Sequence, residues 1–321
     1  MIVVGLDIGT SKISGLLLEV PSGRILDVAQ ERNAFSLPGE QADESLQDPR
    51  RILEACKRIL KRLIESAGSP SGIGVTGQMH GILYVDREGR AVSPLYTWLD
   101  GRGDRPHPSG KSYAAELSDR LGGPVSTGMG LVTHFWLLEN ERLPERASRF
   151  CTIGDYVAMK LAGAAEPVSD PTLAASLGGF DLQRLRFRTE SAELAPLRPE
   201  LFPRVATDYP ALGRIPGGAP VFAAFGDNQA SFLGSVGDIP RSALVNIGTG
   251  SQISLYTSLF SSPPGIDVRP FPFGGCLLVG AGLCGGQAYS LLHEFFERTV
   301  RLFTGGREGA DWRIMNAVGP E

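Results

Sequence analysis

Two short turns of small, hydroxyl-bearing residues sit far apart in this chain, each at the end of an apolar run. The first, Asp7-Ile8-Gly9-Thr10-Ser11, follows Ile2-Val3-Val4-Gly5-Leu6; the second, Asn246-Ile247-Gly248-Thr249-Gly250-Ser251, follows Ala243-Leu244-Val245. Small residues let a backbone approach an anion, and Thr and Ser hydroxyls add donors suited to phosphate oxygens. One such turn also occurs in ordinary hairpins. Two of them, with Phe225-Gly226-Asp227-Asn228-Gln229 shortly before the second, suggest two halves of a phosphate-binding cleft with a carboxylate beside it. Phosphoryl transfer to an alcohol needs those parts: cradles for anionic oxygens and a base for the hydroxyl proton.

The elements that must carry these residues are legible as periodic runs. Residues 2–8, 12–20 and 24–33 are apolar or alternating and predict a β-meander, broken by the first turn and by Pro21-Ser22-Gly23. Ile52, Leu53, Ala55, Cys56, Ile59, Leu60, Leu63 and Ile64 recur at helical spacing. They predict a helix over 49–67, with Pro49 suited to its first turn and Gly68 just past its end. Strands are expected at 72–76 and 81–86, and helices near 111–121, 134–141 and 155–162. Pro196, Pro199, Pro203, Pro210, Pro216 and Pro220, with Gly213, Gly217 and Gly218, mark an expected crossing between two domains. Beyond it come an apolar run at 220–225, a helix from Asp227, strands at 242–247, 251–257 and 276–282, and a helix over 286–303. Strands alternate with helices in both halves, so the class is α/β. Three strands and one substantial helix are a thin core for the second half.

Composition narrows the function classes. The chain has 321 residues, 42% hydrophobic and 21% charged, enough for two domains of ordinary size. A net charge of -4 with no long Lys/Arg block argues against a nucleic-acid surface. Lys57-Arg58 and Lys61-Arg62 alternate with apolar residues and read as a solvated helix face. Cys56, Cys151, Cys276 and Cys284 lack metal or CxxC spacing and read as buried thiols of a cytoplasmic protein. The apolar start breaks at Asp7, too early for a signal peptide, and no run approaches membrane-spanning length. A P-loop and a GxSxG elbow are both lacking.

Asp7-Ile8-Gly9-Thr10, Gly77-Gln78-Met79-His80-Gly81, Trp98-Leu99-Asp100-Gly101-Arg102, Gly226-Asp227-Asn228-Gln229-Ala230 and Asn246-Ile247-Gly248-Thr249 occur in this order. Together they resemble the FGGY family of carbohydrate kinases, and within it the sedoheptulose and xylulose branches. Ile153-Gly154-Asp155-Tyr156, Ser169-Asp170 with Ala174-Ala175-Ser176, and Gly280-Ala281-Gly282-Leu283-Cys284-Gly285-Gly286 add to the resemblance, which runs from residue 2 to about 303. It implies two actin-like (ribonuclease H-like) domains, the second incomplete: a sugar-binding domain over 1–220 and a partial ATP-binding domain over 221–321. It also implies transfer of the γ-phosphate of ATP, with Mg²⁺, to a primary hydroxyl of a ketose. The partner is then a small sugar rather than nucleic acid or membrane, and a homodimer is left open.

Site roles follow residue by residue from that resemblance. Asp227 would be the general base and touch the sugar; its other reading is a helix N-cap, and both can hold. Asp7 would stand near Mg²⁺ through water, with Gly9, Thr10 and Ser11 and the opposed Gly248 and Thr249 at the phosphates. Where the family commonly has Lys or Arg, seven residues after Asp7, this chain has Ser14; Lys12 is the nearest basic residue. Gln78, Met79 and His80 would line the sugar pocket, while His107 and His293 read as structural hydrogen-bonders. Trp98 would offer an apolar face, and Asp100 and Arg102 would bond hydroxyls; the rival readings are core packing and a local ion pair.

Family members are longer, and nothing over 304–321 matches the Gly-rich segment that holds adenosine, so the chain reads as truncated. The rival function is therefore a catalytically silent sugar-binding fragment. Apolar surface is expected along Leu277-Leu278-Val279, Leu291-Leu292 and Phe295-Phe296.

Overall fold

A computed structural model describes residues 1–188, 197–247, 250–306 and 311–317. The chain divides into two compact units, Met1–Ser231 with Pro270–Phe273, and Phe232–Arg269 with Gly274–Glu321.

The first unit is built on a mixed sheet. Strands β1 (Ile2–Ile8), β2 (Lys12–Glu19) and β3 (Arg24–Arg32) form the expected antiparallel meander. Strand β4 (Ile73–Gly77) then pairs parallel to β1, with Asp7 opposite Thr76 and Ile8 opposite Gly77. Helix α1 (Pro49–Ala67) crosses one face of this sheet. Its N-cap Asp48 accepts bonds from the Arg50 and Arg51 amides, Pro49 fills the first turn, and Gly68 closes it at φ +81°. Ile52, Cys56, Ile59 and Leu63 from α1 pack with Leu6, Ile8, Ile13 and Leu17 in one core. The helix sits close enough that a Cβ at Gly15 would lie 2.5 Å from the Ile59 side chain.

The stretch over 196–220 is not the crossing between domains. Strand β5 (Ala211–Arg214) folds back on β6 (Pro220–Phe222), and Val221 of β6 pairs parallel with Ile73 of β4. Next, β7 (Phe225–Gly226) also pairs with β4, at Thr76 and Gly77. Pro210, Pro216 and Pro220 with Gly213, Gly217 and Gly218 punctuate an edge hairpin of the first sheet. The first unit accordingly runs past the expected boundary at 220, to Ser231.

A second core of the first unit is helical and aromatic. Helices α2 (Tyr113–Leu121) and α3 (Gly130–Glu139) enclose Tyr84, Phe135, Phe150 and Phe202. Helix α4 (Ile153–Ala162) joins the sheet core, and the short α5 (Pro171–Ser176) follows an Asp170 N-cap. His107 is structural, as expected, bonded to Glu139 at 2.7 Å and Ser109 at 2.8 Å.

In the second unit, β8 (Ala243–Ile247), β9 (Gly250–Thr257), β10 (Asp267–Pro270) and β11 (Cys276–Cys284) form a sheet in the order β8-β9-β11-β10. The sheet has a fourth strand that the sequence pattern did not mark. Helix α6 (Asp227–Ser235) leads into this unit and α7 (Gly286–Thr304) follows its sheet. The expected exposure holds for Leu291, Leu292, Phe295 and Phe296 but not for Leu277 and Val279, which are fully buried.

Candidate functional site

Strand register assembles the site. Three parallel strands, β1, β4 and β7, end side by side, with Ile8 next to Gly77 and Gly77 next to Gly226. The residues that follow each end, Gly9, Gln78 and Asp227, therefore leave the sheet at one carboxyl edge. That is where open α/β sheets receive ligands. Thr76 ties the edge together by donating its hydroxyl to the Phe225 carbonyl at 2.9 Å.

The first turn is braced from within. The Gly9 amide donates to the Lys12 carbonyl at 2.9 Å. Asn33 grips the turn twice, its Nδ2 donating to the Gly9 carbonyl at 2.8 Å and its amide to the Ser11 carbonyl at 2.9 Å. Asp7 precedes this turn beside a cavity of about 290 Å³ lined also by Gly5, Ser14, Leu16, Thr76 and Phe225. Desolvation there raises the Asp7 carboxyl above its ordinary pKa, and Lys12 partly opposes the shift. Gly248 and Thr249, the expected second turn, lie outside the described residues.

Asp227 opens helix α6, where a carboxylate is favoured by the helix dipole. The residue before it is held from the far side. The Gly226 amide donates to Thr172 Oγ1 at 2.9 Å, and that hydroxyl donates to Asp170 Oδ1 at 2.6 Å. A Cβ at Gly226 would lie 2.5 Å from Gln229 Oε1 and 2.8 Å from Met79 Sδ, so a larger residue there would push both side chains aside. Met79, 4% exposed, thus supports the Asp227 turn from below.

The other end of α5 holds His80. Ser176 accepts the His80 amide on its hydroxyl at 3.0 Å, and its carbonyl lies 2.7 Å from Nδ1. A carbonyl only accepts, so Nδ1 carries the proton. The backbone of His80 takes φ +72°, a conformation rare outside glycine. One six-residue helix therefore braces both Asp227 and His80. Asp170 is 1% exposed, its Oδ2 has no hydrogen-bond partner among the described residues, and burial raises its pKa.

Trp98 stands 45% exposed and donates its indole N–H to Thr10 Oγ1 at 2.9 Å. Asp100 and Arg102 do not match their expected role as hydroxyl ligands. Asp100 is fully buried, and Arg102 spends its guanidinium on it at 2.5 and 3.1 Å while lying over the Tyr96 and Trp136 rings. The remaining capacity of Asp100 Oδ2 goes to the Ser45 amide at 3.1 Å. Their reading as a local ion pair is the one the geometry fits, and it anchors the loop that carries Trp98. Gln47, Asn33 and Thr172 escaped the sequence reading. Of these only Thr172 had a signal, the Asp-Pro pair that starts its helix.

Residues 2–239 match the FGGY family of carbohydrate kinases, N-terminal domain. The chain is 32% identical to a sedoheptulokinase of Mus musculus and 31% identical to one of Homo sapiens. Each match covers 89% of this chain and 67% of the relative. Among solved structures, xylulose kinase from Rhodospirillum rubrum superposes with a TM-score of 0.80 at 23% identity, over 92% of this chain and 63% of that one. Plasmodium falciparum glycerol kinase superposes at 0.75 and 15% identity, over 92% and 63%. These likenesses give the fold as the actin-like α/β class. The chain spans about two thirds of the length of the relatives it matches. It belongs to the FGGY family of carbohydrate kinases.

Proposed function

We propose that this chain carries the sugar side and the catalytic base of an ATP-dependent ketose kinase, acting on a primary hydroxyl of a sedoheptulose- or xylulose-like sugar. The observation that carries the reading is the shared carboxyl edge of β1, β4 and β7, where Gly9, Gln78 and Asp227 leave the sheet and Asp7 lies one residue inside the end of β1. Asp227 would take the hydroxyl proton as the new P–O bond forms, at the mouth of a helix that favours its charge. His80 and Trp98 would orient the sugar, the buried Gln78 would brace this edge through Gln47, and Thr172 with Met79 would keep the base in place. Gly9, Ser11 and Gly248-Thr249 would receive phosphate oxygens.

Asp7 is the carboxylate that would hold Mg²⁺ through water, since Mg²⁺ commonly takes one or two carboxylates plus substrate phosphates. When bound it would neutralise charge on the transferring group. The buried, unpaired thiols Cys56, Cys151 and Cys276 support a cytoplasmic setting.

Coupled ADP release with sedoheptulose, xylulose, ribulose and glycerol, in the presence of Mg²⁺, tests the reading. Asp227→Asn keeps the shape and loses the base, so turnover should fall about 10²- to 10⁴-fold with sugar affinity largely kept. A variant that retains most of its turnover would remove Asp227 from that role. Sugar binding with no ADP from either protein would favour the second reading, a silent sugar binder.

A further inference from the structure

We infer that Asp170 is a positioning residue for the reaction, acting through the Thr172 hydroxyl on the peptide from which Asp227 leaves β7. The inference rests on the proposed role of Asp227 as base, and it extends the support given by Thr172 back to a buried carboxyl group. It is carried by a clamp on the Phe225–Gly226 peptide in which donor and acceptor are fixed at every contact.

That peptide is held at both of its polar atoms by threonine hydroxyls. Its carbonyl, on Phe225, accepts from Thr76 Oγ1 of β4 at 2.9 Å. Its N–H, on Gly226, donates to Thr172 Oγ1 of α5 at 2.9 Å. An amide N–H only donates, so Thr172 meets it as an acceptor and must place its own proton elsewhere. Asp170 Oδ1 takes that proton at 2.6 Å, a length typical of a hydroxyl bonded to a carboxylate, and also accepts from the Thr172 amide at 2.8 Å.

The bond to the Thr172 amide is ordinary helix capping; the bond to the hydroxyl is not needed for it. What the second bond does is fix the Thr172 side chain with a lone pair facing Gly226. Asp170 and Thr172 are each 1% exposed and Gly226 is buried, so water cannot easily replace a lost partner. Without an acceptor the Gly226 amide would turn to find one. Asp227 is the next residue, so its carboxylate would move with that peptide, and a displacement of about 1 Å can cost about 10²-fold in rate.

The test uses the full chain with Thr172→Val, Thr172→Ser, Asp170→Asn, and Asp170→Asn combined with Thr172→Val. Coupled ADP release is followed over a ketose titration at saturating ATP and Mg²⁺, with rates scaled to the folded fraction from urea unfolding. Thr172→Val should lower kcat about tenfold to a hundredfold and leave KM for the ketose within about threefold. Thr172→Ser keeps the hydroxyl and should recover kcat to within about threefold of the wild type. Asp170→Asn weakens the bond to Thr172 and should cost about threefold to tenfold alone, but less than about twofold when added to Thr172→Val. A merely structural role predicts lower stability with kcat of the folded protein unchanged, and that result overturns the inference. An equal loss in Thr172→Ser, or an Asp170→Asn cost that is nil or the same in both backgrounds, also overturns it; turnover that still needs Asp227 then leaves the proposed function standing. A wild type with no ketose-dependent ADP release, or one indifferent to Asp227→Asn, removes both.

Discussion

The two units open with the same device and finish it differently. In the first, the consecutive strands β1, β2 and β3 pair antiparallel and the nineteen-residue α1 follows; in the second, β8, β9 and β11 pair antiparallel, with β10 intervening in the chain, and the nineteen-residue α7 follows. The α1 face is closed: Ile52, Ile59 and Leu63 are buried against Leu6, Ile8, Ile13 and Leu17. In the second unit Leu277 and Val279 are buried, yet Val245 is 55%, Ile247 75% and Phe295 61% exposed. Both units have apolar strands and an amphipathic helix. What differs is how much chain lies over them, so alternation in a sequence marks which residues seek burial and not which obtain it.

The sharpest way to break this comparison is to make one substitution in both places. Leu63→Ala removes side-chain atoms from a fully buried position and should cost about 2–5 kcal/mol in urea unfolding. Leu255→Ala, at a strand position 44% exposed, should stay within about 0.5 kcal/mol. Similar losses at both sites would mean that the second unit is packed as firmly as the first.

A smaller effect concerns pH, and it belongs to the first unit because its interior holds ionisable groups. Burial raises Asp155 to about 7, against hydrogen bonds from Thr152 and Ser169 that lower it. A carboxyl raised on folding favours the native state most below its unfolded pKa of about 3.9, and that contribution fades as pH climbs toward 7. His134, lowered to about 4 by burial, has the opposite slope: its contribution is full above about 6.5 and is lost as pH falls through 4. The stability of Asp155→Asn minus that of the wild type should therefore grow steadily between pH 4 and pH 7. A difference that is flat, or that shrinks, would show that Asp155 ionises normally.

Local chemistry made much of the first unit readable. The meander, the α1 caps at Asp48 and Gly68, and the order of helices all depend on neighbours within a few residues. The hairpin over 211–222 was not readable, because its place is decided by Val221 pairing with Ile73, far away in the chain. Helix α5 is too short to show a period, although Asp170-Pro171 carries a cap signature. Asp100 and Arg102 have the same side chains whether they meet a sugar or each other, and only burial distinguishes the two roles. Gln47 lies in a two-residue strand with no pattern at all, and its importance comes from Thr10 and Gln78.

The central claim is that the first unit holds the sugar-binding constellation by itself, so nucleotide is not required for sugar to bind. Titrating the full chain with sedoheptulose and xylulose in a calorimeter, without ATP, tests it most directly. The account predicts saturable heat from at least one ketose, lost in Trp98→Ala. Absence of heat from every ketose, with a native circular dichroism spectrum, would contradict it.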